Sequence, residues 1–272
     1  MMKKWSFRFL LIVGSALLAF PLLFVVLGGG FIDAERNLSM ENHQPLIFAH
    51  RGIPSFPENG KTGIKESLAL NFKAIELDVR TTKDGHLVLF HDASGKRLLG
   101  MDRNIDEVTL AVIQKGFIIR DQKVSTDKVL TLAEMTDSFP QFDHIYLDIK
   151  ANNLSIAKQL LHFLEQQPKK DKFLIASTNF IFLSYLRLQN PDIITVLEGF
   201  QSGKHWWYPW MPKNFEPDFY ACSVGSFDEA HLRFLKKHHL LKRKIVYGVK
   251  HQNFKKVLEY GITHIIVDFH PY

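Results

Sequence analysis

Between Ile75 and Arg80 the residues alternate strictly: Ile75, Leu77 and Val79 are aliphatic, and Glu76, Asp78 and Arg80 are charged. Successive side chains of a strand point to opposite faces, so a strand here has one apolar face and one charged face. Taken alone, the charged face of such a strand would simply look at water. A second run of the same kind constrains the chain further. In Ile145 to Lys150 the apolar set is Ile145, Leu147 and Ile149, and Tyr146, Asp148 and Lys150 face the other way. If helices cover the apolar faces, both charged faces point inward together. Carboxylates that converge in an interior repel one another and lose their hydration unless a cation lies among them. The economical reading is a divalent metal ion held by Glu76, Asp78 and Asp148.

The remaining chain supplies the elements for such an interior. Further apolar runs of strand length occur at 46–51, 172–177, 193–197, 218–222, 244–249 and 264–269, and most are separated by helical patterns. In one of these patterns Ala157, Leu160, Leu161 and Leu164 recur at helical spacing. Lys83-Asp84-Gly85 turns the chain into an added hairpin strand at 87–90. From 93 to 129 polar residues and glycines loosen the pattern, and the segment reads as an excursion over the active-site end. The Thr131–Glu134 and Ser226–Glu229 spacings have the form of capping boxes, so Glu134 is expected to cap a helix rather than catalyse. Eight strands in alternation with helices, plus one hairpin, predict an α/β fold: a (β/α)8 TIM barrel over 45–272. Such barrels carry their chemistry at the C-terminal ends of the strands. His50, Asp78, His91 and Lys150 fall near those ends.

These residues stand in an ordered set of short motifs: His50-Arg51-Gly52, Pro57-Glu58-Asn59, Glu76-Leu77-Asp78, Lys83-Asp84-Gly85, His91-Asp92 and Asp148-Ile149-Lys150. In order and spacing the set resembles the glycerophosphodiester phosphodiesterases, and the resemblance runs from about Ile47 to Pro271. It implies a metal-dependent enzyme that hydrolyses glycerophosphodiesters to an alcohol and glycerol 3-phosphate. The family commonly has Glu where Asp148 stands, and Asn and Trp where Lys250 and Tyr247 stand.

Hydrolysis of a phosphodiester requires charge to be stabilised on the phosphoryl oxygens, a nucleophile to be activated and the leaving alkoxide to be protonated. A divalent ion can serve the first two needs. Oxygen-only ligands indicate a hard cation, Mg2+ or Ca2+. Glu76, Asp78 and Asp148 are its expected ligands, with Glu58 a weaker addition. Arg51 and Lys150 are expected to hold phosphate oxygens. His50 and His91 suit acid and base work because imidazole titrates near neutral pH. Asp92 either orients His91 or caps the following turn. His205, His238, His239, His251 and His264 have no partner motif and read as surface or structural.

Cys222 is the only cysteine, which excludes an internal disulfide and a cysteine-built metal site. The formal charge of +6 suits an anionic substrate or an anionic membrane surface. No nucleic-acid motif accompanies it, so a nucleic-acid partner is not expected. Lys3, Lys4 and Arg8 precede an apolar body from Phe9 to Leu27, about long enough to span a bilayer. Residues 1–32 therefore read as a membrane anchor and 33–44 as a polar linker, with Gly28 to Gly30 an alternative signal-cleavage site. The basic flank favours a cytoplasmic N-terminus, which makes this a single-pass membrane protein with its barrel on the non-cytoplasmic, periplasmic or extracellular side.

Three of the four tryptophans lie within Trp206-Trp207-Tyr208-Pro209-Trp210. They read as an aromatic plug, or as a wall for the glycerol moiety or a surface near lipid. Two other functions remain beside the leading one: lysophospholipase D-like hydrolysis or cyclisation of lysophospholipids, and a non-catalytic barrel that binds glycerophospho-groups.

Overall fold

The computed structural model describes residue 26 and residues 45–271. The strands are β1 (Leu46–His50), β2 (Ala74–Thr81), β3 (Leu87–Leu89), β4 (Ile119–Arg120), β5 (Lys123–Val124), β6 (His144–Ile149), β7 (Phe173–Ser177), β8 (Ile194–Glu198), β9 (Phe219–Ser223), β10 (Lys244–Val249) and β11 (His264–Val267). Nine of them form one sheet, and β1 pairs in parallel with both β2 and β11, which closes it. Only β3 runs antiparallel, folding back onto β2. The other eight strands make the parallel barrel expected from the sequence.

The inner faces of the strands are built in layers. Phe48, Ala74, Tyr146, Val196 and Ile266 belong to a closely packed apolar cluster. Two residues further along the same strand faces come His50, Glu76, Asp148, Glu198 and Asp268, with Asp78 two beyond Glu76. An apolar floor thus carries a polar layer towards the C-terminal strand ends. The outward faces are apolar, and Ile75, Leu77, Val79, Ile145 and Leu147 have no exposed surface. Fully burying one such side chain contributes about 1.5–3 kcal/mol, enough to hold the strand parity that turns the charged residues inward.

Helix ends follow local hydrogen-bond chemistry. Asn153 caps Leu154–Glu165 by accepting from the Ile156 N–H at 3.0 Å. The Thr131–Glu134 capping box is present, with Thr131 Oγ1 accepting from Glu134 N–H at 3.1 Å and Glu134 Oε2 accepting from Thr131 N–H at 2.7 Å. The box expected at Ser226–Glu229 is not the cap of its helix: Asp228 takes that place for Glu229–Lys237, accepting from His231 N–H at 2.7 Å.

The segment read as a loose excursion is better ordered than its sequence suggests. It holds helical turns at Lys96–Leu99 and Leu110–Ile113 and the β4–β5 hairpin. Leu98, Ile105, Val108, Ile113, Ile118 and Val129 pack with Val88 and Phe90 into a core of their own.

Among the described residues, Gly203–Glu216 does not belong to the compact unit of the barrel. It contains the 3-10 turns His205–Trp210 and Lys213–Phe215. Trp206 and Trp210 are 74% and 66% exposed, so neither ring plugs an interior. No helix of the described residues is long and apolar enough to cross a membrane. The anchor expected at 1–32 and the linker at 33–44 lie outside the described residues, residue 26 apart.

Candidate active site

Strand register brings the acidic residues together. β2 and β6 pair so that Asp78 lies beside Asp148, and β1 and β2 pair so that His50 lies beside Glu76. One carboxylate oxygen from each of Glu76, Asp78 and Asp148 lies within 4.8 Å of the others, and all three residues are buried. Burial and the neighbouring Asp78 push the Glu76 carboxyl up to about 8. Burial also raises Asp148, and Asp78 raises it further against the pull of Lys150. Burial would raise Asp78 too, but Arg51, Lys150 and the Asn59 hydrogen bond together hold it below the usual carboxylate range. Glu198, not singled out in the sequence, is a fourth carboxylate of this centre; burial and Asp148 push it up to about 7. Its Oε1 accepts a hydrogen bond from Tyr146 Oη at 2.6 Å.

The cations of the site are held by the same carboxylates. Lys150 Nζ lies 3.0 Å from Asp78 Oδ1 and contacts Asp148 Oδ2. Arg51 Nε is 2.9 Å from Asp78 Oδ2. Both contacts to Asp78 are close ion pairs, yet Asp78 Oδ1 and Arg51 Nε have no aligned hydrogen bond. A buried carboxylate oxygen left without an aligned donor, beside the Glu76 and Asp148 carboxyls that burial and neighbouring charge raise, is what a hard divalent cation would satisfy. The donor set fits such an ion.

The His-Arg-Gly turn positions Arg51 by a strained backbone. Arg51 has φ 55° and Gly52 φ 93°. A Cβ on Gly52 would lie 2.7 Å from the Gly63 carbonyl carbon, so only glycine allows the turn to meet helix Lys61–Ala69. The left-handed Arg51 costs about 1–2 kcal/mol. It is held by Arg51 N–H donating to the Glu76 carbonyl at 2.9 Å and to Glu76 Oε2 at 3.1 Å, and by Asn59 N–H donating to the Arg51 carbonyl at 2.9 Å. Within Pro-Glu-Asn it is Asn59 that reaches the centre: its Nδ2 donates to Asp78 Oδ2 at 2.9 Å and its Oδ1 accepts from Asp78 N–H at 3.1 Å. Glu58, expected as a weaker ligand, is not in the triad; it faces Arg97 and Arg51 instead.

Each imidazole is paired with a carboxylate. His50 Nδ1 is hydrogen-bonded to Asp268 Oδ1, and His50 Nε2 lies 3.7 Å from Glu76 Oε2. Burial would lower the His50 pKa, but Glu76 and Asp268 outweigh it and hold the ring above its usual value. His91 Nδ1 lies 2.7 Å from Asp92 Oδ1, which gives Asp92 its orienting role. An ionised carboxylate only accepts, so both histidines carry hydrogen on Nδ1, which leaves Nε2 as the other ring nitrogen able to take or give a proton. Asp268 and Glu198 were missed because each is a single carboxylate at a strand end. Each does stand two residues past an inward apolar residue, Val196 and Ile266, as His50 stands two past Phe48. Beside His50 opens a cleft of about 520 Å³ lined by Arg51, Ile53, Phe56, Arg97, Ile119 and Arg120 among others.

The fold and these residues define a parallel barrel whose C-terminal face gathers buried carboxylates, two carboxylate-paired imidazoles and two forked or pointed cations. The model of the glycerophosphoryl diester phosphodiesterase family matches residues 50–270, and the chain belongs to that family. It is 28% identical over 155 residues to a glycerophosphodiester phosphodiesterase of Caldanaerobacter subterraneus subsp. tengcongensis, covering 54% of this chain and 64% of that one. It is 23% identical to the lysophospholipase D GDPD1 of Mus musculus, covering 50% and 46%. The chain thus spans less than two thirds of the length of these curated relatives. The fold is shared with an Oleispira antarctica phosphodiesterase solved in complex with the product sn-glycerol-3-phosphate, at TM-score 0.71 and 20% identity over 83% of this chain and 94% of that one.

Proposed function

We propose that this barrel hydrolyses glycerophosphodiesters to an alcohol and glycerol 3-phosphate, with Mg2+ or Ca2+ at Glu76, Asp78 and Asp148. The observation that carries the reading is the buried acidic triad paired with Arg51 and Lys150 and with His50 Nε2 3.7 Å from Glu76, on a barrel face that also carries the carboxylate-oriented His91. When bound, the cation supplies charge neutralisation at the phosphoryl group and activation of the nucleophile. Arg51 and Lys150 hold phosphate oxygens. His50 and His91 move protons at Nε2, one towards the leaving oxygen and one away from the nucleophile. Asp268 and Asp92 keep the two rings in the required tautomer. Occupation of every one of these positions argues against a merely binding barrel.

Lysophospholipids are a second substrate class on this reading. It is supported by the apolar side chains of Ile53, Phe56 and Ile119 in the cleft beside His50, and by the similarity to a lysophospholipase D. We further place the chain in a membrane as a single-pass protein, with residues 45–272 as a barrel domain on the non-cytoplasmic side; Lys3, Lys4 and Arg8 before the apolar run support this.

The decisive assay measures release of glycerol 3-phosphate from glycerophosphocholine and glycerophosphoethanolamine, and of alcohol from lysophosphatidylcholine, with and without chelator. Asp148→Asn is expected to lose at least about a hundred-fold in kcat, on the order seen when a group stabilising transition-state charge is removed. Its chelator-treated form should melt no lower than the wild type, because the fold holds the Asp148 carboxylate against an unfavourable environment. Addition of Mg2+ or Ca2+ should raise the melting temperature of the wild type and not of the variant. Full activity of Asp148→Asn in chelator would remove the metal from this site.

A further inference from the structure

Arg97 lies on the first helical turn of the insertion, Lys96–Leu99, and reaches back to two motifs of the barrel. Its Nη1 and Nη2 donate to Glu58 Oε2 and Oε1 at 2.8 and 2.7 Å. Its Nε and Nη2 donate to Asp92 Oδ2 and Oδ1 at 2.7 and 2.9 Å. The Asp92 Oδ1 that receives Arg97 is the same oxygen that pairs with His91 Nδ1 at 2.7 Å. One guanidinium therefore fixes both oxygens of the carboxylate that orients an imidazole of the site, while Glu58 anchors its other edge.

Stability does not explain this arrangement well. The Arg97 side chain is 51% exposed, and ion pairs in contact with water add little to the folded state. Four directed hydrogen bonds supply orientation instead, since a forked guanidinium sets the plane of a carboxylate in a way a rotating ammonium does not. The Asp92 side chain is 26% exposed, on the stretch after β3 outside any strand or helix. Without Arg97 its carboxylate is free to turn to solvent, and His91 loses the fixed acceptor that selects its tautomer and ring angle.

We propose that Arg97 is a positioning residue that acts through Asp92 to hold His91 for proton transfer, so that docking of the insertion and readiness of this histidine are one event. The inference rests on the reading of His91 as a proton-transfer residue.

The test uses the full chain with glycerophosphocholine and saturating Mg2+ or Ca2+. His91→Ala is expected to lose about 10²–10⁴-fold in kcat. Arg97→Ala should lose on the order of ten- to a hundred-fold, with a smaller change in KM and a near-unchanged melting temperature. Arg97→Lys should not restore the rate, because it keeps the charge without the fork. Arg97→Gln takes the place of the alanine variant if that protein does not fold. The double variant Arg97→Ala/His91→Ala should be no slower than His91→Ala alone. An impaired His91→Ala beside an unimpaired Arg97→Ala, or losses that multiply in the double variant, would overturn the positioning role and leave the hydrolase reading standing. A fully active His91→Ala would overturn both the role of His91 and this inference.

Discussion

His264 opens β11 at the end of the barrel away from the acidic centre, and only 6% of it is exposed. Burial, with a smaller contribution from His144, pushes its pKa down to about 4. The unfolded chain binds a proton at this imidazole below about 6.5, whereas the folded chain does not until about 4. Its contribution is therefore fully present above pH 6.5 and is lost as the pH falls through that window, up to about 3 kcal/mol. The ring also packs against Phe219, with centroids 5.0 Å apart. His264→Phe keeps an aromatic ring there and removes the titration, so the drop in melting temperature between pH 7 and pH 5 should shrink. An unchanged drop would place the acid sensitivity elsewhere. The bland reading of this histidine from sequence was correct in kind, since it is a core residue. Its depressed pKa depends on what surrounds it in the fold and has no local signature.

The β4–β5 hairpin turns through Asp121 and Gln122, whose φ values are 49° and 62°. Two consecutive positive φ angles are the geometry of a type I′ turn, which favours Asn-Gly. Replacing Asp121 by Asn and Gln122 by Gly should relieve about 1 kcal/mol of local strain and slow native-state proteolysis between 118 and 126. Equal or faster cleavage would show that the turn is not strained. This element was not legible in the sequence because Asp121-Gln122 lacks the glycine that marks such a hairpin turn, and its surrounding core is assembled from Val88 to Val129 without a period. The barrel strands, by contrast, were readable almost to the residue. Alternation of period two is a local property, and β2 and β6 display it with charges that have no other reason to alternate. Of the site, the convergence of Glu76, Asp78 and Asp148 followed from that alternation, while Asn59, Arg97, Glu198 and Asp268 depend on which loops and strand ends meet in space.

At the scale of the whole molecule, residues 45–272 contain every residue of the proposed site and both partners of the closing strand β1. A chain begun at residue 45 should therefore unfold in one cooperative transition and show the same proposed hydrolase activity as the full chain. It should appear in the soluble fraction, while the full chain stays with membranes through a carbonate wash. A full chain released by that wash would remove the membrane anchor from the proposal, and a fragment without cooperative unfolding would remove the domain boundary.

The pairing of His50 with Asp268 joins positions 218 residues apart. A ribosome adding about 5–20 residues per second makes the second partner roughly 10–40 s after the first. Through that interval β1 has β2 for a neighbour but not β11, and His50 lacks the carboxylate that orients it. On the function proposed above, activity is therefore expected to appear with closure of β11 onto β1 rather than with synthesis of the motif-rich N-terminal half.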